Sequence, residues 1–131
     1  MKSRVVFSSA SVEWATPHGV YDALNTEFHF TLDPCPLGGD QDGLATLFMP
    51  WAGQKVWCNP PYSEIAKWLA RWHEPELAVY LIPARTDTKY FHQIVLPHAA
   101  EIRFIRGRLK FGGAKNSAPF PSMIVVFDNR T

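Results

Sequence analysis

The chemically most pointed stretch of the sequence is Val56-Trp57-Cys58-Asn59-Pro60-Pro61-Tyr62. Lys55 to Cys58 reads as a short buried strand that stops in a polar-Pro-Pro-aromatic turn. A proline has no N–H to donate, and the residue before a proline is pushed into extended geometry. Pro60 is both, so its carbonyl has little freedom to rotate. Asn59 sets a side-chain carbonyl beside it, and Tyr62 adds a flat ring. Two stiff acceptors next to a stacking surface suit one task well, the grip of a planar group that carries an NH2. Such an amine, as in adenine, is a poor nucleophile because its lone pair is delocalised into the ring. Accepting both N–H hydrogens, one on Asn59 Oδ1 and one on the Pro60 carbonyl, favours a pyramidal nitrogen and frees that pair. Dipoles fixed in advance around charge that develops in a transition state are a large catalytic effect. No general base is then obligatory at the turn. The bland reading of Pro-Pro is a turn that merely ends a strand.

The elements that must position this turn follow from local pattern. Residues 1–12 show no clear periodicity and read as an arm or edge segment. Thr16-Pro17 opens a helix, Thr as N-cap and Pro at the first helical position, with Val20, Tyr21, Leu24 and Phe28 on its apolar face. Phe28 to Leu32 alternates and predicts a strand, ended by Asp33-Pro34-Cys35-Pro36. After the central turn, Glu64 to Trp72 predicts a helix. Leu77 to Pro83 is a nearly continuous apolar run, the mark of a strand covered on both faces. Thr88 to Leu96 predicts a short helix, Glu101 to Ile105 a strand, and Met123 to Phe127 the last strand. Strand and helix alternate until about residue 100, and then strand follows strand. This is an α/β sheet with an antiparallel C-terminal end.

At 131 residues the chain fits one domain, residues 1–131, and its 47% apolar content argues for a packed core. The formal net charge of +1 excludes any inference from overall charge, but the charge is uneven. Acids dominate Glu13 to Asp42, whereas Arg103, Arg106, Arg108, Lys110 and Lys115 fall in a stretch without an acid. Cys35 and Cys58 are the only cysteines and have no metal-ligand spacing, so no metal is expected and a reducing compartment is. No apolar run approaches membrane length, and Met1 to Ser9 does not read as a signal peptide. The five histidines share no spacing and read as surface residues.

Ligands of open α/β sheets bind outside the carboxyl ends of the strands. Three loops are expected there: Asp33 to Gly39, Asn59 to Tyr62, and Pro83 to Asp87. Asn59-Pro60-Pro61-Tyr62 resembles the Asn/Asp-Pro-Pro-Tyr signature of S-adenosylmethionine-dependent amino methyltransferases. Further phrases extend the likeness: Trp14-Ala15-Thr16-Pro17, Asp42-Gly43-Leu44, Trp57 to Ser63, Pro83-Ala84-Arg85-Thr86-Asp87-Thr88, Ile102 to Phe111, and Pro119-Phe120-Pro121-Ser122. Together they make residues 12–128 similar to the phage-type DNA N6-adenine methyltransferase family.

The resemblance implies a compact, shortened class I (Rossmann-like) methyltransferase sheet. It also implies S-adenosylmethionine as cofactor, DNA as substrate, and the cytoplasm of a bacterial host, from a phage or prophage. It assigns the grip on the base to Asn59, Pro60, Pro61 and Tyr62. The cofactor falls to Trp14, Thr16 and Pro17, to Asp33, Pro34 and Cys35 with the glycines after them, and to Asp42 for the adenine end. Only 26 positions separate Asp33 from Asn59, where the general fold fits two more strands and an acid for the cofactor ribose. Those strands are missing or vestigial here, which leaves the ribose contact unassigned, with Asp40 a candidate substitute for the acid. Arg85, Lys89, Arg106, Arg108, Lys110 and Lys115 are candidates for phosphates, and Phe111 or Phe120 for stacking on a flipped base. A solvated basic hairpin is the structural alternative, with Phe104 in the core either way. Rival functions are N-methylation of an RNA base or a protein glutamine, and a degenerate fold that only binds nucleic acid.

Overall fold

The computed structural model describes residues 16–35, 49–110 and 120–131, together with the backbone of residues 6–10. Strands β1 (Val6–Ala10), β2 (Lys55–Cys58), β3 (Leu77–Pro83), β4 (Glu101–Ile105) and β5 (Ser122–Asp128) form a five-stranded sheet in the order β1-β4-β5-β3-β2. β2 pairs parallel with β3, and β1 with β4, while β5 is antiparallel to both of its neighbours. Four strands therefore run one way and β5 alone runs against them. The segment expected to be an arm or edge is the edge strand β1.

Alternation along the strands divides the core into two layers. Cys58, Tyr80, Ile82, Val125 and Phe127 face one side, under Ile65, Trp68 and Leu69 of helix α2 (Ile65–Leu69). Trp57, Val79, Leu81, Ile124 and Val126 face the other, under Val20 and Leu24 of helix α1 (Pro17–Phe28). Burial of Val20 and Leu24 contributes about 1.5–3 kcal/mol apiece. All seven residues of β3 are buried, as a continuous apolar run requires. The buried Tyr80 hydroxyl donates to the Trp68 carbonyl at 2.7 Å and so ties α2 to the sheet.

Local chemistry explains where the elements depart from the pattern. Phe28 to Leu32 is not a strand. α1 runs through Phe28 and is closed by His29 in the left-handed region (φ 56°), whose N–H donates to Asn25 O at 2.8 Å. Phe30 N–H donates to Asn25 Oδ1 at 2.9 Å, so this capping consumes the backbone the strand would use. The end of the segment still reaches the sheet: Thr31 N–H donates to Lys55 O at 2.8 Å, and Leu32 makes a parallel bridge to Val56. The helix expected from Glu64 to Trp72 is a short 3-10 turn, Tyr62–Glu64, followed by α2, which ends in tight turns. The one expected from Thr88 to Leu96 includes a π-helical turn, Phe91–Val95, that leads into α3 (Leu96–His98). Pro97 lacks an N–H and its ring crowds the carbonyl four residues back, which favours the wider turn before it.

Arg103 corrects the reading of the basic stretch. It sits on β4 and turns toward α1, where it grips both oxygens of Glu27 at 2.7 and 2.6 Å and both of Glu101 at 2.8 and 3.0 Å. Its guanidinium also lies 5.5 Å from the centroid of the Phe28 ring. With two carboxylates on it and 15% of its side chain exposed, Arg103 anchors a helix to a strand and is not available to a phosphate.

The Arg103 hydrogen bond lowers the pKa of Glu27. A carboxylate depressed on folding adds stability above its unfolded pKa and loses it as pH falls through the folded one. Glu27 is 46% exposed, so we expect Glu27→Gln to cost about 1 kcal/mol or less at pH 7. That difference should shrink to nothing as the pH falls below the ordinary glutamate range and through the depressed pKa, read as denaturation midpoints of both proteins from pH 7 to 3.

Candidate active site

Strand direction brings the expected loops together. β2 and β3 are parallel, so Asn59 and Ala84, which follow them, lie at one edge of the sheet. β5 is antiparallel and begins at that edge, with Ser122 paired to Pro83 and Pro121 O accepting from Ala84 N–H at 2.8 Å. Leu32 bridges Val56 in parallel, which sends Asp33, Pro34 and Cys35 the same way. β4 shares the direction of β3, so Arg106 to Lys110 leaves the sheet there too.

At the central turn Pro60 is buried, Asn59 half-buried and Tyr62 44% exposed. Pro61 is extended (φ −57°, ψ 140°), and its carbonyl accepts from Glu64 N–H at 2.9 Å, which starts the turn into α2. Among the described residues nothing donates a hydrogen bond to Asn59 Oδ1 or to the Pro60 carbonyl. Tyr62 meets Phe120 edge-on, with centroids 4.9 Å apart and planes at 89°. Burial raises the pKa of the Tyr62 phenol, and the charge of Arg85 opposes that rise. Phe120 is only 9% exposed, and the Arg85 guanidinium lies 5.3 Å from the centroid of its ring.

Beside the turn, the Asp33 carboxylate accepts from Cys35 N–H at 3.3 Å, and burial raises its pKa. Pro34 and Cys35 are buried. Desolvation pushes the fully buried Cys58 thiol well up, and the adjoining Cys35 thiol and Asp33 charge push it further. The contact between Cys35 and Cys58 has no signal in sequence spacing. Thr16 is the N-cap of α1, its hydroxyl accepting from Gly19 N–H at 3.0 Å, and Pro17 is buried in the first turn. Trp14, Asp40 and Asp42 lie outside the described residues.

Arg85, Lys89, Arg106, Arg108 and Lys110 are all exposed, and fully buried Leu109 anchors the last of them to the core. Gly107 takes φ +77° in the turn after β4, a conformation that suits glycine. Phe111 and Lys115 lie outside the described residues. Phe104 packs half-buried against the core, as expected. His98 is not a surface residue. It is half-buried and stacks on Trp72 with centroids 4.3 Å apart. Among the described residues no three His, Cys, Asp or Glu side chains gather as a metal site. No helix among them is long and apolar enough to cross a membrane.

A mixed sheet with helices on both faces defines a protein of the α/β class. The model of the DNA N-6-adenine-methyltransferase (Dam) family matches residues 5–130, and the chain belongs to that family. It is a DNA N6-adenine methyltransferase. No curated protein and no solved structure matches it.

The buried thiols carry a prediction of their own. Because only a thiolate reacts at a useful rate, Cys58 in the native protein should resist iodoacetamide at pH 7.5 and alkylate readily in denaturant. Peptide mass mapping after timed labelling reads the difference.

Proposed function

We propose that this enzyme transfers the methyl group of S-adenosylmethionine to adenine N6, with Asn59, Pro60, Pro61 and Tyr62 holding the flipped base. The observation that carries the reading is the pair of acceptors, Asn59 Oδ1 and Pro60 O, that lack donors among the described residues beside the exposed Tyr62 ring. Adenine N6 presents two N–H groups and a planar ring, which is what two stiff acceptors and an aromatic surface complement. Asn59 and Pro60 draw both hydrogens to one side, and the nitrogen lone pair is left to point elsewhere. Tyr62 holds the ring that the amine is attached to. Fixing the two reactants in line removes several kcal/mol of orientational cost.

The residues beside the turn suit the cofactor. The Asp33 carboxylate keeps one bond, from Cys35 N–H, and its burial disfavours an isolated charge, so a cation at that place is favoured. The α-ammonium of S-adenosylmethionine is such a cation. When bound, the cofactor supplies an electrophilic methyl on sulfonium sulfur. Trp14, Thr16, Pro17, Pro34, Cys35 and Asp42 complete the proposed cofactor set. The fold is read as a single domain with a shortened class I methyltransferase sheet, at work in the cytoplasm of a bacterial host.

Lys89, Arg106, Arg108 and Lys110, with Lys115, are proposed to neutralise phosphates as the duplex is opened and the adenine extruded. Phe111 is the further stacking candidate, since Phe120 is largely covered.

Asn59→Ala should lower transfer of labelled methyl to DNA by about a hundred- to a thousandfold while DNA binding persists. The product of the parent enzyme should digest to N6-methyladenine. Undiminished transfer by the variant would sink the reading of the turn.

A further inference from the structure

Arg85 belongs to a stack that joins the ends of three strands. It follows β3, and its backbone is fixed on both sides. Its N–H donates to Pro83 O at 2.9 Å, and its carbonyl accepts from the Thr88 hydroxyl at 2.8 Å. One residue earlier, Ala84 N–H donates to Pro121 O, the neighbour of Phe120. From this fixed backbone the guanidinium reaches to 5.3 Å from the Phe120 centroid. Phe120, itself buried, meets Tyr62 edge-on at 4.9 Å.

We propose that Arg85 is a positioning residue for methyl transfer, which through Phe120 sets the plane of Tyr62 and so acts on the chemical step more than on DNA affinity. This rests on the reading of the Asn59–Tyr62 turn as the holder of the base. A cation near an aromatic ring is drawn to its negative face, and edge-on pairs have a preferred geometry of their own. The two contacts in series give the Tyr62 ring a defined orientation although nearly half of the residue is open to solvent. The orientation matters because small errors in placing a reactant cost rate steeply. A simple phosphate contact predicts something else, a loss of affinity with a weaker dependence on salt.

The test is a double-mutant cycle on the enzyme saturated with S-adenosylmethionine, with Arg85→Ala, Arg85→Lys, Phe120→Leu and the double variant Arg85→Ala/Phe120→Leu. We expect Arg85→Ala to lower kcat about tenfold and to leave the slope of log Kd for DNA against log salt unchanged. Arg85→Lys should recover most of kcat, because it keeps a cation near the ring. In the Phe120→Leu background, Arg85→Ala should cost nothing further. The proposal is overturned if kcat is unchanged while the salt slope falls by about one, or if the losses of the two single variants multiply in the double. Asn59→Ala is run alongside: full activity there removes the base-holding role of the turn whatever the cycle gives, and lost activity leaves the cycle to judge Arg85 alone.

Discussion

The rest of the structure depends on the pairing of β5 between β3 and β4. β3 and β5 pair along their whole length, from Leu77 with Asp128 to Pro83 with Ser122. Six of the seven β5 residues are buried, so the strand contributes to the core on both faces as well as to the ladder. Its reversed direction has a functional consequence. Strands β2, β3 and β4 end at one edge of the sheet, and β5 starts there. The Asn59 turn, the Arg85 loop, Phe120 and the basic stretch after β4 are thereby gathered from distant parts of the chain. If β5 slipped by one residue, its side chains would change faces, and the core and this gathering would fail together.

The polarity of the edge is graded by burial. Asn59 is half-buried and the Tyr62 ring is reachable from solvent, whereas Pro60, Cys58 and Cys35 are buried. Burial acts on each titratable group according to its charge. It raises the pKa of the Cys58 thiol, the Tyr62 phenol and the Asp33 carboxyl alike, which favours the neutral form of all three. For the thiol this works against formation of the reactive thiolate.

Between Asp33 and Asn59 the described residues form one strand of the sheet, β2. On that side the described sheet stops at β2 and the single bridge of Leu32. The layer on the α1 face remains covered, because Val20 and Leu24 pack with Trp57, Val79 and Leu81.

Local signals were sufficient for much of this. The Thr16-Pro17 helix start, the Pro-Pro turn, the fully covered β3 and the antiparallel C-terminal end were legible, because capping, proline geometry and side-chain alternation depend on residues a few positions apart. Where competition was local but subtle, pattern misled. Phe28 to Leu32 alternates like a strand, yet the cap at Asn25 and His29 takes its backbone. The role of individual basic residues was not legible at all. Arg103 and Arg106 look alike in sequence, but one faces two carboxylates and the other solvent. Arg103 finds Glu27 at a separation of 76 positions, and Tyr62 finds Phe120 across the sheet edge. Short-range sterics made most of the strands, the start of α1 and the stiff turn readable from neighbouring residues. Only the tertiary structure decided which side chains meet, since strand order and register join segments whose local preferences carry no record of one another.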